Sequence, residues 1–404
     1  YRFADSNTWG TFWSASARWN INNEEFMKGV DFVDVLKLRV SYGTAGNQRI
    51  NGGTYFTTPD ATRSLFATGT GYGGANSVFL SQIGNNTLRW ETVATTNLGL
   101  DFELFDSKLR GSVDVYNRET TDLFQDTPIS AINGATFIRA NTGSLTNKGV
   151  DFNLNYDVVR SLKPGDLNIN VSLVGNYNSI ELQDLPNPDG EILGIGRNGG
   201  KLFEYYNVRY AGVNPANGNL LFLDADGNLT ENPDPDADRV WSDKNIIPDM
   251  NGSFGLNIDY KNFFLQTQFN YVIGVDRFDN DLAGFQDYTS AGQFRNSRDL
   301  LRAWTPNNRV TDIPRADTAL QTFANTDRYL RDADFLRLRF LSFGYSVPKN
   351  VLKDTGISNA RVFVNGENLV TFTEWRGFDA EADSNTSRIY PTPRTISLGL
   401  ELSL

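Results

Sequence analysis

Residues 395–404 read TISLGLELSL. Ile396, Leu398, Leu400, Leu402 and Leu404 occupy alternate positions, with Ser397, Gly399, Glu401 and Ser403 between them. A strand turns successive side chains to opposite faces, so the segment predicts a strand with one oily and one polar face. With 39% hydrophobic residues, a run in this strict order occurs in about 1 of 800 windows, or roughly half of one in the whole chain by chance. The alternation recurs in LKLRVSYG (36–43), NLGLDFEL (97–104), VDFNLNYDV (150–158), LNINVSL (167–173) and FGLNIDY (254–260). The chain is therefore expected to be all-β and built from one-sided strands.

Eleven main strands are predicted near 9–20, 35–45, 89–104, 108–121, 146–159, 167–180, 252–260, 263–275, 333–347, 359–372 and 394–404. No long helical period interrupts them, and NNEEFMKGV (22–30) predicts one short helical turn. The links alternate in length. Short ones at 21–34, 105–107, 160–166, 261–262 and 348–358 are each followed by a long one, at 46–88, 122–145, 181–251, 276–332 and 373–393. An outer-membrane barrel sorts its connections this way, with short periplasmic turns at one rim and long extracellular loops at the other. The oily faces then meet lipid. Lys37, Arg39, Asp101, Glu103, Gln266, Gln268 and Asn270 face the lumen. A soluble sandwich also alternates, with its oil against a second sheet. An even-numbered barrel needs at least one more strand, and an open eleven-stranded sheet would leave two bare edges that a membrane forbids, so the chain is expected to continue, or close, with strands beyond these residues. Tyr1 is not an initiator residue, and the numbered chain reads as a processed or partial product.

Composition narrows the chemistry. The 404 residues contain no cysteine and no histidine. Disulfides, thiolate metal sites, thiol nucleophiles and imidazole-based catalysis are thereby removed. A net charge of −11 argues against a nucleic-acid partner, which needs a basic field. No apolar run is long enough for a transmembrane helix, whereas a membrane strand needs only about 9–11 residues. No catalytic constellation and no cofactor motif are expected.

Several segments carry more than periodicity. FMKGVDFVDVLKLRVSYGTAGNQRI (26–50), LRWETVATTNLGLDFELFDSKLRGSVDVYNRETTDLF (88–124), NTGSLTNKGVDFNLNY (141–156), DADFLRLRFLSFGYSVPKN (332–350), RVFVNGENLVTFTEWRGFDAEA (361–382) and YPTPRTISLGLELSL (390–404) resemble, in order, the barrel of SusC-like TonB-dependent transporters. The resemblance implies a 22-stranded barrel around an N-terminal plug, of which this chain is the C-terminal half, missing the plug and the TonB box. It also implies a SusD-like surface lipoprotein as lid, the TonB complex as energy source, and an outer-membrane location in a Gram-negative bacterium. Ala380 stands where the family often has Pro, and Leu404 stands where many such barrels end on an aromatic.

Other motifs are weaker. GTGYGG (69–74) has dinucleotide spacing but is expected in a Gly-rich loop without the flanking strand and helix that such a site needs. DADGNLTEN (224–232) offers Asp224, Asp226 and Asn228 to an ion, yet its Gly falls at the wrong position for an EF-hand, and a hairpin turn explains it equally well. A hairpin of 203–212 against 219–224 is expected inside the external loop 181–251, with NPDPDADRVWSD (232–243) as loop. Arg337 and Arg339 are expected to turn from lipid together and pair with plug or lumen carboxylates. Trp13, Trp19, Trp90, Tyr42, Tyr116, Tyr156, Tyr177 and Tyr345 read as an interfacial aromatic girdle. The loop aromatics Tyr72, Tyr205, Tyr206, Trp241, Trp304 and Trp375 are candidates to stack on substrate, or to pack within the loops or against a lid.

The expected function is TonB-dependent import of a large nutrient, oligosaccharide or oligopeptide. The alternatives are a soluble glycan-binding module and a barrel with a surface-anchoring or secretion-linked role. The lipid assignment has a direct test: Leu400→Arg should impair outer-membrane assembly and Glu401→Gln should not, because a cation on a lipid face costs about 2–4 kcal/mol at midplane. Normal assembly of the first and failure of the second, measured by heat-shifted gel mobility, would reverse the faces.

Overall fold

A computed structural model describes residues 3–48, 61–163, 165–293, 295–316, 325–353, 356–381 and 390–403. Eleven strands form one antiparallel sheet in strict chain order. They are β1 Ser14–Asn20, β2 Val33–Asn47, β3 Glu91–Leu104, β4 Leu109–Thr121, β5 Ser144–Val159, β6 Asn168–Gln183, β7 Met250–Tyr260, β8 Phe263–Ile273, β9 Phe335–Ser346, β10 Asn359–Thr373 and β11 Thr395–Ser403. The expected strands coincide with these to within a few residues, except that β1 starts at Ser14 and not near residue 9. Leu404 lies outside the described residues.

Two of the short connections, at 105–107 and 261–262, are tight turns. Phe105, Asp106 and Ser107 take positive φ angles of 61°, 58° and 58°, and the Ser107 N–H donates to Asp34 Oδ2 at 2.8 Å. Lys261 and Asn262 alone join β7 to β8, with Lys261 at φ 56°. The turn expected at 22–30 is a pair of 3-10 turns, Ile21–Asn23 and Glu25–Met27. The long connections carry hairpins of their own, including Leu65–Thr70 with Asn76–Gln82 and Phe124–Pro128 with Phe137–Asn141. GTGYGG therefore begins in a strand and turns through Tyr72–Gly74 into the returning one, a correction to its reading as plain loop.

The chain divides into two compact units, residues 1–152 with 177–202, and residues 153–176 with 203–404. In the first, register assigns the faces. Val40, Leu98 and Val115 lie in one row, and Arg39, Gly99 and Asp114 in a row on the other face. The apolar row is 47%, 47% and 50% exposed, with no second sheet over it among the described residues, as a sandwich would require. On the polar face Arg39 grips Asp101 through Nε and Nη2, both at 2.9 Å, and reaches Asp114 with Nη2 at 2.9 Å. Asn97 donates to the remaining oxygen of Asp114 at 2.8 Å. Gly99 makes room for this network, since a Cβ there would stand 2.5 Å from Asp114 Oδ1 and 2.6 Å from Arg39 Nη2.

In the second unit the register places Leu265 beside Phe343 and Val364 beside Leu398 on one face, and Gln266, Ser342, Asn365 and Ser397 on the other. Alternation breaks once, where Arg339 is an extra residue of β9 against β8, between Leu338 and Phe340. Phe340 is thereby brought opposite Gln268 and Glu367 on the polar face, where unbroken alternation would put it with Leu338. The expected oily position of Phe340 is corrected by this bulge, whereas Arg337 and Arg339 both turn to the same carboxylate, as expected of a shared face.

The girdle reading divides in the same way. Trp13, Tyr42 and Trp19 lie on the apolar face, exposed, with the first two rings 5.3 Å apart. Phe263, Phe343 and Tyr345 cluster on the apolar face at the turn end of their strands. Tyr116 shares the face of Asp114, is buried, and donates to Asn178 Oδ1 at 3.1 Å. Trp90 packs on the small core of Phe3, Ala61 and Leu88. Neither belongs to the girdle.

The polar network yields a test. Gly99→Ala should displace the Arg39 guanidinium and destabilise the folded protein by about 1–3 kcal/mol, read as a lower unfolding midpoint in detergent. An unchanged midpoint would mean that the Arg39 cluster carries no packing constraint.

Candidate functional site

Three long connections of the second unit fold together beside the β9 and β10 strands. Glu204–Val213 is flanked by Leu220–Leu223 and Arg239–Asn245, and Leu229–Thr230 completes a four-stranded sheet. The segment read as loop at 232–243 thus includes a strand from Arg239 onward, because Tyr206 pairs with Trp241 and Val208 with Arg239. The core of this sheet is Val208, Leu220 and Phe222, each at most 2% exposed. Residues 325–327 of the next connection dock on it. The Val208 N–H donates to Asn325 O at 2.8 Å, and the Tyr210 N–H to Asp327 Oδ1 at 2.6 Å. Burial pushes the Asp327 carboxyl up, opposed by that N–H.

The same connection forms a short ladder, Asp276–Phe278 with Leu330–Asp332, and then the helix Asn280–Phe285, here α1. Asp279 caps α1 by accepting the Leu282 N–H at 2.8 Å. Completely buried, it is pushed up by desolvation. Lys244 pairs with Asp276 at 3.1 Å, tying the ladder to the four-stranded sheet.

The third connection closes the assembly. Arg376 donates to Asp299 Oδ2 at 2.5 Å, Arg277 donates to the carbonyl of Ala380 at 2.6 Å, and Phe378 meets Phe285 edge-on at 5.7 Å. The segment RGFDAE (376–381) then reaches the bulge in β9. Arg337 donates to Asp379, to Glu381 Oε2 at 2.6 Å and to Thr371 Oγ1 at 3.0 Å. Arg339 donates to Glu381 Oε2 at 3.2 Å and to Asn368 Oδ1 at 3.0 Å. Carboxylate partners were expected from the plug or the lumen; the structure supplies them from the chain's own connection at 374–394. Arg337 and Asp379 are 4% and 9% exposed, and a buried pair that loses one partner costs about 3–5 kcal/mol.

The six candidate aromatics have different settings. Tyr72 stands fully exposed at the tip of the 65–82 hairpin. Tyr205 donates its hydroxyl to Asp276 O at 3.1 Å and meets Phe278 edge-on at 5.2 Å, and burial pushes its phenol up to about 12. Tyr206 lies 4.7 Å from Trp241 between ring centroids, and the Arg239 guanidinium lies over the Tyr206 ring at 5.0 Å. Trp304 donates to Pro215 O at 3.1 Å and lies over Gly218, whose φ of 78° and missing Cβ the contact requires. Trp375 sits beside Gly377 in the docking segment. The structure thus gathers five of the six into the folded connections of one unit. At DADGNLTEN a tight turn forms, with Asp224 Oδ1 accepting the Asn228 N–H at 2.8 Å and Gly227 at φ 90°. Among the described residues no group of three or more acidic side chains is arranged to hold a metal ion.

The residues that the sequence reading missed are Asp379 and Glu381. Their alternation in GFDAEA, two carboxylates spaced like the two guanidinia of FLRLRF, was the available signal. Asp379 gives a pH test. Burial pushes its carboxyl up, but the Arg337 guanidinium and the N–H groups of Glu381 and Thr392 outweigh this and hold it at about 2. A depressed carboxylate stabilises its segment above the unfolded value of about 3.9. That contribution is lost as pH falls through the folded value of about 2. Hydrogen exchange at residues 376–381 should therefore rise from pH 4 to pH 2 relative to β10, and Asp379→Ala should show the raised exchange already at pH 7. Equal protection in both proteins would show that the ion pair does not hold the segment.

Comparison with known proteins completes the description. Residues 1–369 match the family described as TonB dependent receptor-like, beta-barrel. TonB-dependent receptor P3 of Formosa agariphila is 31% identical over 99% of this chain and 42% of its own length. TonB-dependent receptor SusC of Bacteroides thetaiotaomicron is 26% identical over 99% of this chain and 41% of its own. The RagAB peptide importer in its open-open state superposes with a TM-score of 0.84 at 29% identity, covering all of this chain and 44% of the matched one. The chain thus spans less than half the length of these relatives.

Proposed function

The chain belongs to the TonB-dependent receptor β-barrel family, and from that membership we propose that it forms the C-terminal part of an outer-membrane importer of a large nutrient, an oligopeptide or oligosaccharide. The carrying observation is the strictly sequential eleven-stranded sheet with one open apolar face. Closed by further strands, such a sheet would satisfy its backbone internally and suit lipid on one side and a wet lumen on the other. The long connections would then be extracellular and the short turns periplasmic. The likeness to a peptide importer supports the oligopeptide reading, and that to SusC supports kinship with its branch of the family.

In this mechanism the folded connections and a SusD-like lipoprotein lid capture the substrate. The TonB complex, acting on a plug carried by the remainder of the protein, opens the lumen, and the substrate passes inward. Tyr72, Tyr205, Tyr206, Trp241, Trp304 and Trp375 are the proposed substrate-facing aromatics. No step in the scheme makes or breaks a covalent bond of the substrate.

The test is uptake by cells carrying or lacking the full-length protein, using fluorescent oligopeptides and oligosaccharides of matched length, with and without a proton uncoupler. Loss of uptake of one class on deletion, restored by the gene and abolished by the uncoupler, is the expected result. Unchanged uptake of every probe, with the protein present in the outer membrane, would overturn the importer reading in favour of an anchoring or secretion role.

A further inference from the structure

The polar face of the second unit carries a row of uncharged side chains that neither sheet formation nor the docked connections use. Register joins Asn257 of β7 to Gln266 of β8, Gln266 to Ser342 of β9, Ser342 to Asn365 of β10, and Asn365 to Ser397 of β11. Hydrogen bonds continue the row into β6 and β5. Asn257 donates to Asn170 Oδ1 at 3.4 Å, and Asn170 donates to Asn155 Oδ1 at 2.8 Å. Seven strands contribute uncharged side chains to the row, and a carboxylate touches it at its β5 end, where Asn170 also donates to Asp157 Oδ1 at 2.7 Å. The corresponding row of the first unit holds Arg18, Arg39, Gly99 and Asp114.

An aromatic row accompanies it. Phe264, Gly344, Phe363 and Gly399 are cross-strand neighbours one step along the same face. The glycines make space for the rings, since a Cβ on Gly399 would stand 2.3 Å from the Phe363 ring and one on Gly344 2.4 Å from that of Phe264. Apolar rings on the polar face have no lipid to meet. The Oδ1 of Asn365 is buried without a hydrogen-bond partner, as is that of Asn270, one step along β8 from Gln268.

We propose that this paired amide and aromatic row is a passage surface for an uncharged, hydrogen-bonding oligomer, meaning a peptide backbone or a sugar chain. The inference rests on the importer reading. Each amide offers both a donor and an acceptor, so it can hold successive units of a chain in any register. Each bond is worth only about 0.5–1.5 kcal/mol net, so none of them traps the chain, and passage needs sites that are both favourable and easily left. The partly exposed ring of Phe363 offers flat apolar contact to a sugar face or side chain, while Phe264 is buried with the Arg361 guanidinium 4.6 Å from its centroid. A charged row would bind a charged substrate too tightly and reject its opposite. A resident plug held in one register would be better fixed by ion pairs of the kind Arg39 makes, and it is the competing occupant.

The experiment uses the full-length protein with its native partners. It compares uptake of neutral, anionic and cationic members of whichever probe class, peptide or oligosaccharide, the wild type imports. The double variant Gln266→Glu with Asn365→Asp keeps side-chain volume. It should lower anionic uptake relative to neutral by about tenfold, and Gln266→Lys should shift the ratio the opposite way. Outer-membrane abundance is measured for both. Unchanged ratios in an assembled variant, or an equal loss for all three charges with altered protease resistance of the plug, would overturn the passage surface and leave the importer reading intact. A wild type that imports no probe of either class would overturn the importer reading itself.

Discussion

The constraint on which everything else depends is that a strand sends neighbouring side chains to opposite faces while its backbone hydrogen bonds stay in the plane of the sheet. The faces are then free to meet different solvents. In the first unit one face holds Val40, Leu98 and Val115 and the other Arg39 and Asp114; in the second one face holds Val364 and Leu398 and the other Gln266 and Asn365. The hydrophobic cores in the usual sense are small and sit in the connections, around Leu88 and around Phe222. A protein of this size with so little buried apolar volume needs an apolar solvent on its open face, and a bilayer is that solvent for this family.

One departure from the rule is put to use. The extra residue at Arg339 turns two guanidinia toward the incoming connection, and Asp379 and Glu381 meet them. An otherwise independent folded body is thereby anchored at the end of β9 and β10. Its anchors elsewhere are polar as well, through Arg376 to Asp299 and Arg277 to the Ala380 carbonyl. Position 380, where the family often has Pro, needs only its carbonyl for this contact, and its side chain is buried and small.

The strands were legible because a period of two repeats over many residues, and an error of a few residues at each end does not change the face. The hairpins at 65–82 and 124–141 were not, since strands as short as LFATGT and FQDTP hold no run of alternating apolar and polar residues. The bulge was invisible because FLRLRF alternates straight through it, and only the partner strands reveal the extra residue. Tyr116 was a different kind of miss. In SVDVYN it shares parity with Asp114 and not with Val113 and Val115, so its place on the polar face was readable. Contacts across more than 40 positions, such as Arg337 to Asp379, leave no local trace. Glutamine and asparagine on alternate positions marked a polar face, but their alignment into one row depends on the stagger of seven strands.

The most direct test of the central claim uses the absence of cysteine from these 404 residues. Single cysteines are placed in turn at positions 97–103 of β3 in the full-length protein, spin-labelled and reconstituted in bilayers, and their collision rates with oxygen and with a water-soluble nickel complex are measured. The account predicts that 98, 100 and 102 favour oxygen while 97, 99, 101 and 103 favour nickel, with strict alternation. Uniform access to nickel along the strand, or protection of both sets from both reagents, would contradict it and place the apolar face against protein or water and not against lipid.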